Sequence, residues 1–252
     1  DANQFLTWRD VQEILVHSSR MNDPNDPSWN TNGAGHNVSH KYGFGAIDAG
    51  AAVSLAANWT TLDQELNETY GPFIENFSIP DANSSWSTFP ITVSSQLSIE
   101  SIDVIVDIDH THRGDLDIIL QSPYGTESWL AVSNGDSNND YSDWQFNTVH
   151  HWGESSGGIW NLKVRDASSG ETGILNSWEL IFHGVDNDPD HDDDGCQDAS
   201  EEDDGWLLSY SYDQNIDSSD VVILDACNIS EGPVAIIHLP RRVPFGFHGN
   251  WL

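Results

Sequence analysis

From about residue 70 to residue 185, apolar side chains fall at every second position or in short runs broken by Asn, Asp, Ser and Gly. In extended backbone successive side chains point to opposite faces, so each such stretch has one wet face and one face that needs cover. Many short strands punctuated by turn residues read as an antiparallel sandwich. The pattern predicts strands over 73–79, 97–108, 116–122, 128–132, 158–164 and 177–184, with the sandwich ending near Val185. The rest of the chain must be fitted around it.

Ahead of the sandwich, LTWRDVQEILVHSSR opens with Thr7 and, three residues on, Asp10, a capping box with Asp in place of Glu or Gln. Trp8, Val11, Ile14 and Leu15 recur at helical spacing and form one apolar stripe that something must cover. A turn-rich stretch with two Asp-Pro pairs follows over 22–35, and YGFGAIDAGAAVSLAANW then predicts a small-residue helix capped by Asp48 and ending near Asn58. Two helices without a sheet make a poor domain. After the sandwich comes the acidic run DNDPDHDDDGCQDASEEDDG, then a terminal piece in which only DVVILDAC reads as strand. The expected organisation is therefore a short helical segment over 1–62, a sandwich over 63–185, an acidic loop over 186–205 and a segment of unassigned fold over 206–252.

Eleven Trp, nine Phe and six Tyr mark a chain that folds, because disordered chains are poor in aromatic residues. Eight Lys and Arg against 41 Asp and Glu give a formal charge of −33, which repels phosphate backbones and anionic lipid surfaces. Nucleic-acid partners are excluded on that ground, and no apolar run approaches the roughly 20 residues of a membrane span. The start DANQFLTWRD has neither the basic nor the apolar part of an export signal and enters directly on a helix, so the natural amino terminus is expected upstream. Sequons at Asn37, Asn58, Asn67, Asn76, Asn83 and Asn228 agree with an exported protein.

The acidity has a general reading, a solvated carboxylate surface, and a sharper one in a single segment. Asp190, Asp192, Asp194, Gly195 and Glu201 fit D-x-D-x-D-G-x₅-E without a spacing error, and Asp198 occupies the ninth position. Carboxylates at positions one, three and five converge on a hard cation, Gly195 makes the turn, the Cys196 carbonyl serves position seven, and Glu201 closes bidentately. The loop resembles thrombospondin type 3, dockerin-like and other EF-hand-like calcium loops of secreted proteins, and calcium is the expected cofactor. Cys196 and Cys227 are the two cysteines, and in an oxidising compartment they read as a disulfide tying the loop to DVVILDAC. Each stands alone, unlike the paired ligands of structural zinc sites.

Three further motifs have structural readings. GESSG over 153–157 satisfies the nucleophile-elbow pattern around Ser155, but an elbow needs a helix after it and GGIWNLKVRD continues as a strand. Arg113-Gly114-Asp115 is an RGD tripeptide at the turn into LDIILQSP, where Gly permits the bend and Asp accepts backbone hydrogen bonds. His110, His112, Asp115 and Asp117 are of types that bind transition metals. Alternation puts Asp115 and Asp117 on one sheet face without defining a ligand set, so polar surface is the expectation there.

TWRDVQ at 7–12, TNGAG at 31–35, VSHKYGFGAIDAGA at 38–51 and NWT at 58–60 resemble the end of the catalytic domain of kexin- and furin-like proprotein convertases. DHTHRGDLDIILQSPYGT at 109–126, DWQFNTVHHWGESSGGIW at 143–160 and the closing GILNSWELIFHG resemble the P domain of the same subtilisin-like serine proteases. The resemblance implies a mainly β chain: an eight-stranded, jelly-roll-like P domain preceded by a helical remnant of a subtilisin-like α/β domain. It also implies a non-catalytic role, stabilising an upstream catalytic domain of a secreted, calcium-dependent endopeptidase that meets protein or peptide substrates outside the cell or at its surface. No catalytic residue is assigned in this chain, since the catalytic Asp, His and Ser would all precede Thr7. The alternative is a stand-alone calcium-dependent jelly-roll module binding carbohydrate or a protein partner.

Overall fold

The computed structural model describes residues 2–187, 206–213, 218–225 and 232–239. The chain divides into two units, Asp1–Asn187 and Asp188–Leu252. The first helix, α1 (Trp8–Ser18), starts where the capping box predicts. The Thr7 hydroxyl accepts the Asp10 backbone N–H, and the Asp10 carboxylate accepts the Thr7 N–H at 2.6 Å. A small hairpin, β1 (Trp29–Thr31) with β2 (Asn37–Ser39), leads to α2 (Ala49–Ala56), where Asp48 accepts the Ala51 N–H at 2.9 Å.

The sandwich has eight antiparallel strands. One sheet runs β3 (Leu66–Ile79), β10 (Gly173–Asp186), β5 (Leu97–Asp109), β8 (Tyr141–Thr148) in spatial order. The other runs β4 (Ser87–Val93), β9 (Gly158–Asp166), β6 (Leu116–Gln121), β7 (Glu127–Ala131). Consecutive strands switch sheets except for β6 and β7, which pair as neighbours, and this is jelly-roll topology. Alternation is clearest in β5, where Ile102, Val104, Val106 and Ile108 are fully buried and meet Trp160, Leu162, Trp178, Leu180 and Phe182 in one core.

Two strands escape the sequence pattern for different reasons. β4 contains Pro90, which removes a backbone donor and weakens a strand reading, and it is tolerated because β4 is an edge strand paired only with β9. β8 is also an edge, and most of its side chains lie at or near solvent, so its apolar period is faint. In the second unit β11 (Trp206–Asp213), β12 (Ser218–Asp225) and β13 (Pro233–His238) form a three-stranded antiparallel sheet centred on the DVVILD strand.

The structure gives the amino-terminal segment firm attachments to the sandwich. The Arg9 guanidinium reaches Glu100 of β5 through two nitrogens, Nε at 2.9 Å, and donates from its third to the Asp63 carbonyl at 2.7 Å. Asp10 is fully buried and accepts Trp59 Nε1 at 3.1 Å and the Leu62 N–H at 2.7 Å. Burial opposes its charge, but hydrogen bonds from Thr7, Leu62 and Trp59 outweigh that and hold its carboxyl below the ordinary range. Breaking a buried ion pair from one side leaves an uncompensated charge, which costs about 3–5 kcal/mol, whereas replacing both partners by apolar groups is far cheaper. Urea unfolding should therefore show Arg9→Met strongly destabilised and Arg9→Met with Glu100→Leu largely restored. A single variant within about 0.5 kcal/mol of the parent would show that the pair holds nothing.

Candidate functional site

The stretches 31–40 and 148–154 meet where the amino-terminal segment lies on the sandwich. Asn32, buried, donates from Nδ2 to the carbonyls of His150 and Trp152 at 3.1 and 2.9 Å, while its Oδ1 accepts the Ala34 and His36 N–H groups. The Gly33 N–H donates to Glu154 Oε1 at 2.6 Å, and Thr126 bonds the same carboxylate. A Cβ on Gly33 would stand 2.4 Å from the Tyr124 ring, so only glycine allows this approach. Glu13 of α1 accepts the Trp152 indole N–H, and His40 Nε2 accepts the Trp129 N–H at 2.9 Å. The His40 and His150 rings stack 3.9 Å apart beside a cleft of about 250 Å³ that Asn30, Thr31, Glu127 and Trp129 also line.

These imidazoles are held neutral. Burial pushes the His150 ring down to about 4, with His40 and His151 adding repulsion, and burial brings the fully enclosed His151 to about 4 as well. His40 is lowered by burial too, as its use of Nε2 as an acceptor requires. His151 Nε2 lies 3.3 Å from the Thr126 carbonyl, which sets the proton on Nε2 and leaves Nδ1 without a partner among the described residues. His150 Nε2 and Glu154 Oε2 are likewise buried and unpartnered there. Chemically the seam is a hydrogen-bonded joint that depends on uncharged histidines.

The sequence-predicted residues fall in several places. Ser155 Oγ accepts the Gly157 N–H at 3.3 Å within a turn that runs straight into β9, so the strand-to-helix geometry of a nucleophile elbow is not there. Arg113–Asp115 forms a 3₁₀ turn. Its arginine bonds Asp136 and lies over the Trp144 ring at 4.8 Å, and a Cβ on Gly114 would meet the Asp136 nitrogen at 2.1 Å. The tripeptide is thus structural. The expected shared face of Asp115 and Asp117 is corrected: Asp115 sits in the turn, while Asp117 is buried in β6 and pairs with Arg165. His110 is buried against Asp166. Asp190, Asp192, Asp194, Cys196, Asp198, Glu201 and Cys227 lie outside the described residues. Arg9, Glu13, Glu100 and Glu154 escaped sequence reasoning. The available signal was that Arg9, Asp10 and Glu13 share the side of α1 that also holds Ile14, a charged patch next to an apolar stripe.

The seam predicts an acid-sensitive stability. Below its ordinary value of 6.5 the unfolded chain protonates at His151, whereas the folded ring resists until about 4. Stability is therefore full above pH 6.5 and falls as pH drops through that window, by roughly 3 kcal/mol for this residue. Unfolding free energies at pH 7 and 4.5 should differ more in the parent than in His151→Gln, which keeps the donor to Thr126 and cannot titrate. Equal differences would remove His151 from the explanation.

A model of the proprotein convertase P domain matches residues 99–182. A model of the retinal pigment epithelial membrane protein matches 174–252, overlapping the first match in β10. The chain is 38% identical over 204 residues to human proprotein convertase subtilisin/kexin type 6, covering 76% of this chain and 21% of the relative. It is 35% identical over 195 residues to a PC3-like endoprotease of Hydra vulgaris, covering 75% of this chain and 27% of the relative. The serine protease of Aeromonas sobria, solved with its chaperone, superposes with a TM-score of 0.65 at 25% identity, over 72% of this chain and 40% of that one. The chain thus spans about a quarter or less of the curated relatives. With the jelly roll matched in sequence and in structure, the chain belongs to the subtilisin/kexin-like proprotein convertase family, and its sandwich is a P domain.

Proposed function

We propose that this chain is the non-catalytic carboxy-terminal portion of a secreted, calcium-dependent serine endopeptidase, in which the P domain stabilises an upstream catalytic domain. The orientation of α1 carries this reading. Its buried residues are Arg9, Asp10 and Ile14, while Trp8 is 66% and Val11 44% exposed. Phe5, Ile47 and Val53 are also exposed, at 74, 63 and 59%. Each large apolar side chain gains about 1.5–3 kcal/mol on full burial, so a segment that turns Arg9 and Asp10 inward and leaves Phe5, Trp8, Val11, Ile47 and Val53 outward suits a further domain packed over it. Residues 1–62 are then the end of that catalytic domain, joined to the P domain through the Arg9–Glu100 pair and the histidine seam. Proteolysis, substrates and location outside the cell belong to the whole protein. Among the described residues no helix is long and apolar enough to cross a membrane.

Reading the gene upstream of Asp1 should give a subtilisin-like domain with its Asp, His and Ser. In the full-length product Trp8→Asp should lower endopeptidase activity and melting temperature, while in this chain alone it should change stability by less than about 0.5 kcal/mol. Indifference of the full-length product, or an upstream sequence of another kind, would refute the proposal. The calcium loop has its own check: calorimetry should show one site lost or weakened in both Asp190→Ala and Glu201→Ala, and unchanged binding in both would refute that assignment.

A further inference from the structure

The set His110, His112, Asp115 and Asp117 is dispersed by the fold, yet two of its members gain a partner far away in sequence. His112 caps and Asp115 ends the 3₁₀ turn before β6, and Glu171 stands in the loop between β9 and β10. One ligand atom from each, an imidazole nitrogen and two carboxylate oxygens, lies within 4.8 Å of the others.

The scaffold beneath them is fixed. The His112 N–H donates to His110 Nδ1 at 3.2 Å, and the buried His110 is held in turn by Asp166 at 3.2 Å. The Asp115 N–H donates to the His112 carbonyl, and the Asp115 carbonyl accepts the Ala167 N–H at 2.9 Å, which ties the turn to the loop that carries Glu171. Glu171 is held below its ordinary range by His112 first and then by a hydrogen bond from the Thr111 side chain. His112 Nδ1 already contacts Glu171, and the half-buried Asp115 carboxylate has no hydrogen-bond partner among the described residues. Two carboxylates converging on one imidazole leave an excess of negative charge that the single His–Glu pair does not neutralise.

We propose that His112 Nδ1, Asp115 and Glu171 form a site for one divalent first-row transition ion, with zinc the member that fits best. Zinc takes His nitrogen at about 2.0–2.1 Å and carboxylate oxygen at about 2.0–2.2 Å in a tetrahedral set. Neighbouring ligands then stand roughly 3.4 Å apart in a tetrahedral set, so the His112–Glu171 contact opens slightly while the widest of the three separations closes by about an ångström, within reach of small rotations of the half-exposed His112 and Glu171 side chains. Solvent supplies the fourth ligand. The imidazole separates this site from the oxygen-only calcium loop, because nitrogen donors favour zinc, cobalt and nickel over calcium. Thr111 and His110 orient ligand groups from behind, the usual second layer of a metal centre.

Cobalt(II) is the probe, added to the full chain in calcium-saturated buffer at about 0.15 M salt so that non-specific surface binding is screened. One equivalent should give visible d–d absorption without the near-ultraviolet thiolate band that Cys196 or Cys227 would produce, and one equivalent of zinc should abolish it. His112→Ala and Glu171→Gln should each weaken cobalt binding by more than the roughly ten- to hundredfold typical of a lost outer partner. Both positions are partly exposed, and circular dichroism checks that the variants fold. Asp48→Asn, at the cap of α2, should leave the signal unchanged. Absence of a d–d signal in the parent, a thiolate band, or full binding in both variants would overturn the site.

Discussion

The contact of Arg9 with Glu100 sets the relation between residues 1–62 and the sandwich. Glu100 lies in β5, an inner strand paired with β10 and β8, so the ion pair fastens α1 to the most constrained part of the sandwich. A buried guanidinium has no way to shed its charge, and its planar fork fits a carboxylate in few orientations. The pair therefore dictates which side of α1 faces inward. Asp10 follows beside it, Trp59 and Leu62 are drawn to Asp10, and the apolar groups at Trp8 and Val11 are left outside.

The seam repeats that logic with weaker bonds. Asn32, Gly33 and Glu13 contribute from the amino-terminal side, and His150, Trp152 and Glu154 from the sandwich. An apolar interface tolerates sliding, whereas a set of directional hydrogen bonds in a low-dielectric layer accepts one alignment and penalises others. Reliance on neutral rings makes the same joint responsive to protons, so firmness at neutral pH and weakness in acid have one cause.

How much was legible depended on the range of the signal. Thr7 with Asp10 and Asp48 with Ala51 are local devices, and both were readable because capping is decided within three residues. Strand β5 was readable because both its period and its burial are regular. β4 was hidden by Pro90 and β8 by the exposure of an edge, since position in a sheet is not encoded in a strand's own residues. The resemblance to convertases pointed to the right segments, TNGAG and HHWGESSG, without saying that they touch. Arg9 with Glu100, and His112 with Glu171, are separated by 91 and 59 residues, and only the completed topology joins them. The acidic loop was the sharpest local motif, and it lies outside the described residues.

Pro90 carries a consequence for life at high concentration. An open sandwich has free strand edges, and each edge is a template on which another chain can add a strand. On β4 the missing donor at Pro90 interrupts that template in its middle. On β3 the pairing with β10 is twice out of register, and Asn76 adopts a left-handed conformation, φ 46°, so this edge is not a straight ribbon either. A formal charge of −33 adds mutual repulsion between copies. Pro90, which obscured β4 in the sequence, is thus also one of the features that keep the folded sheets from recruiting neighbours.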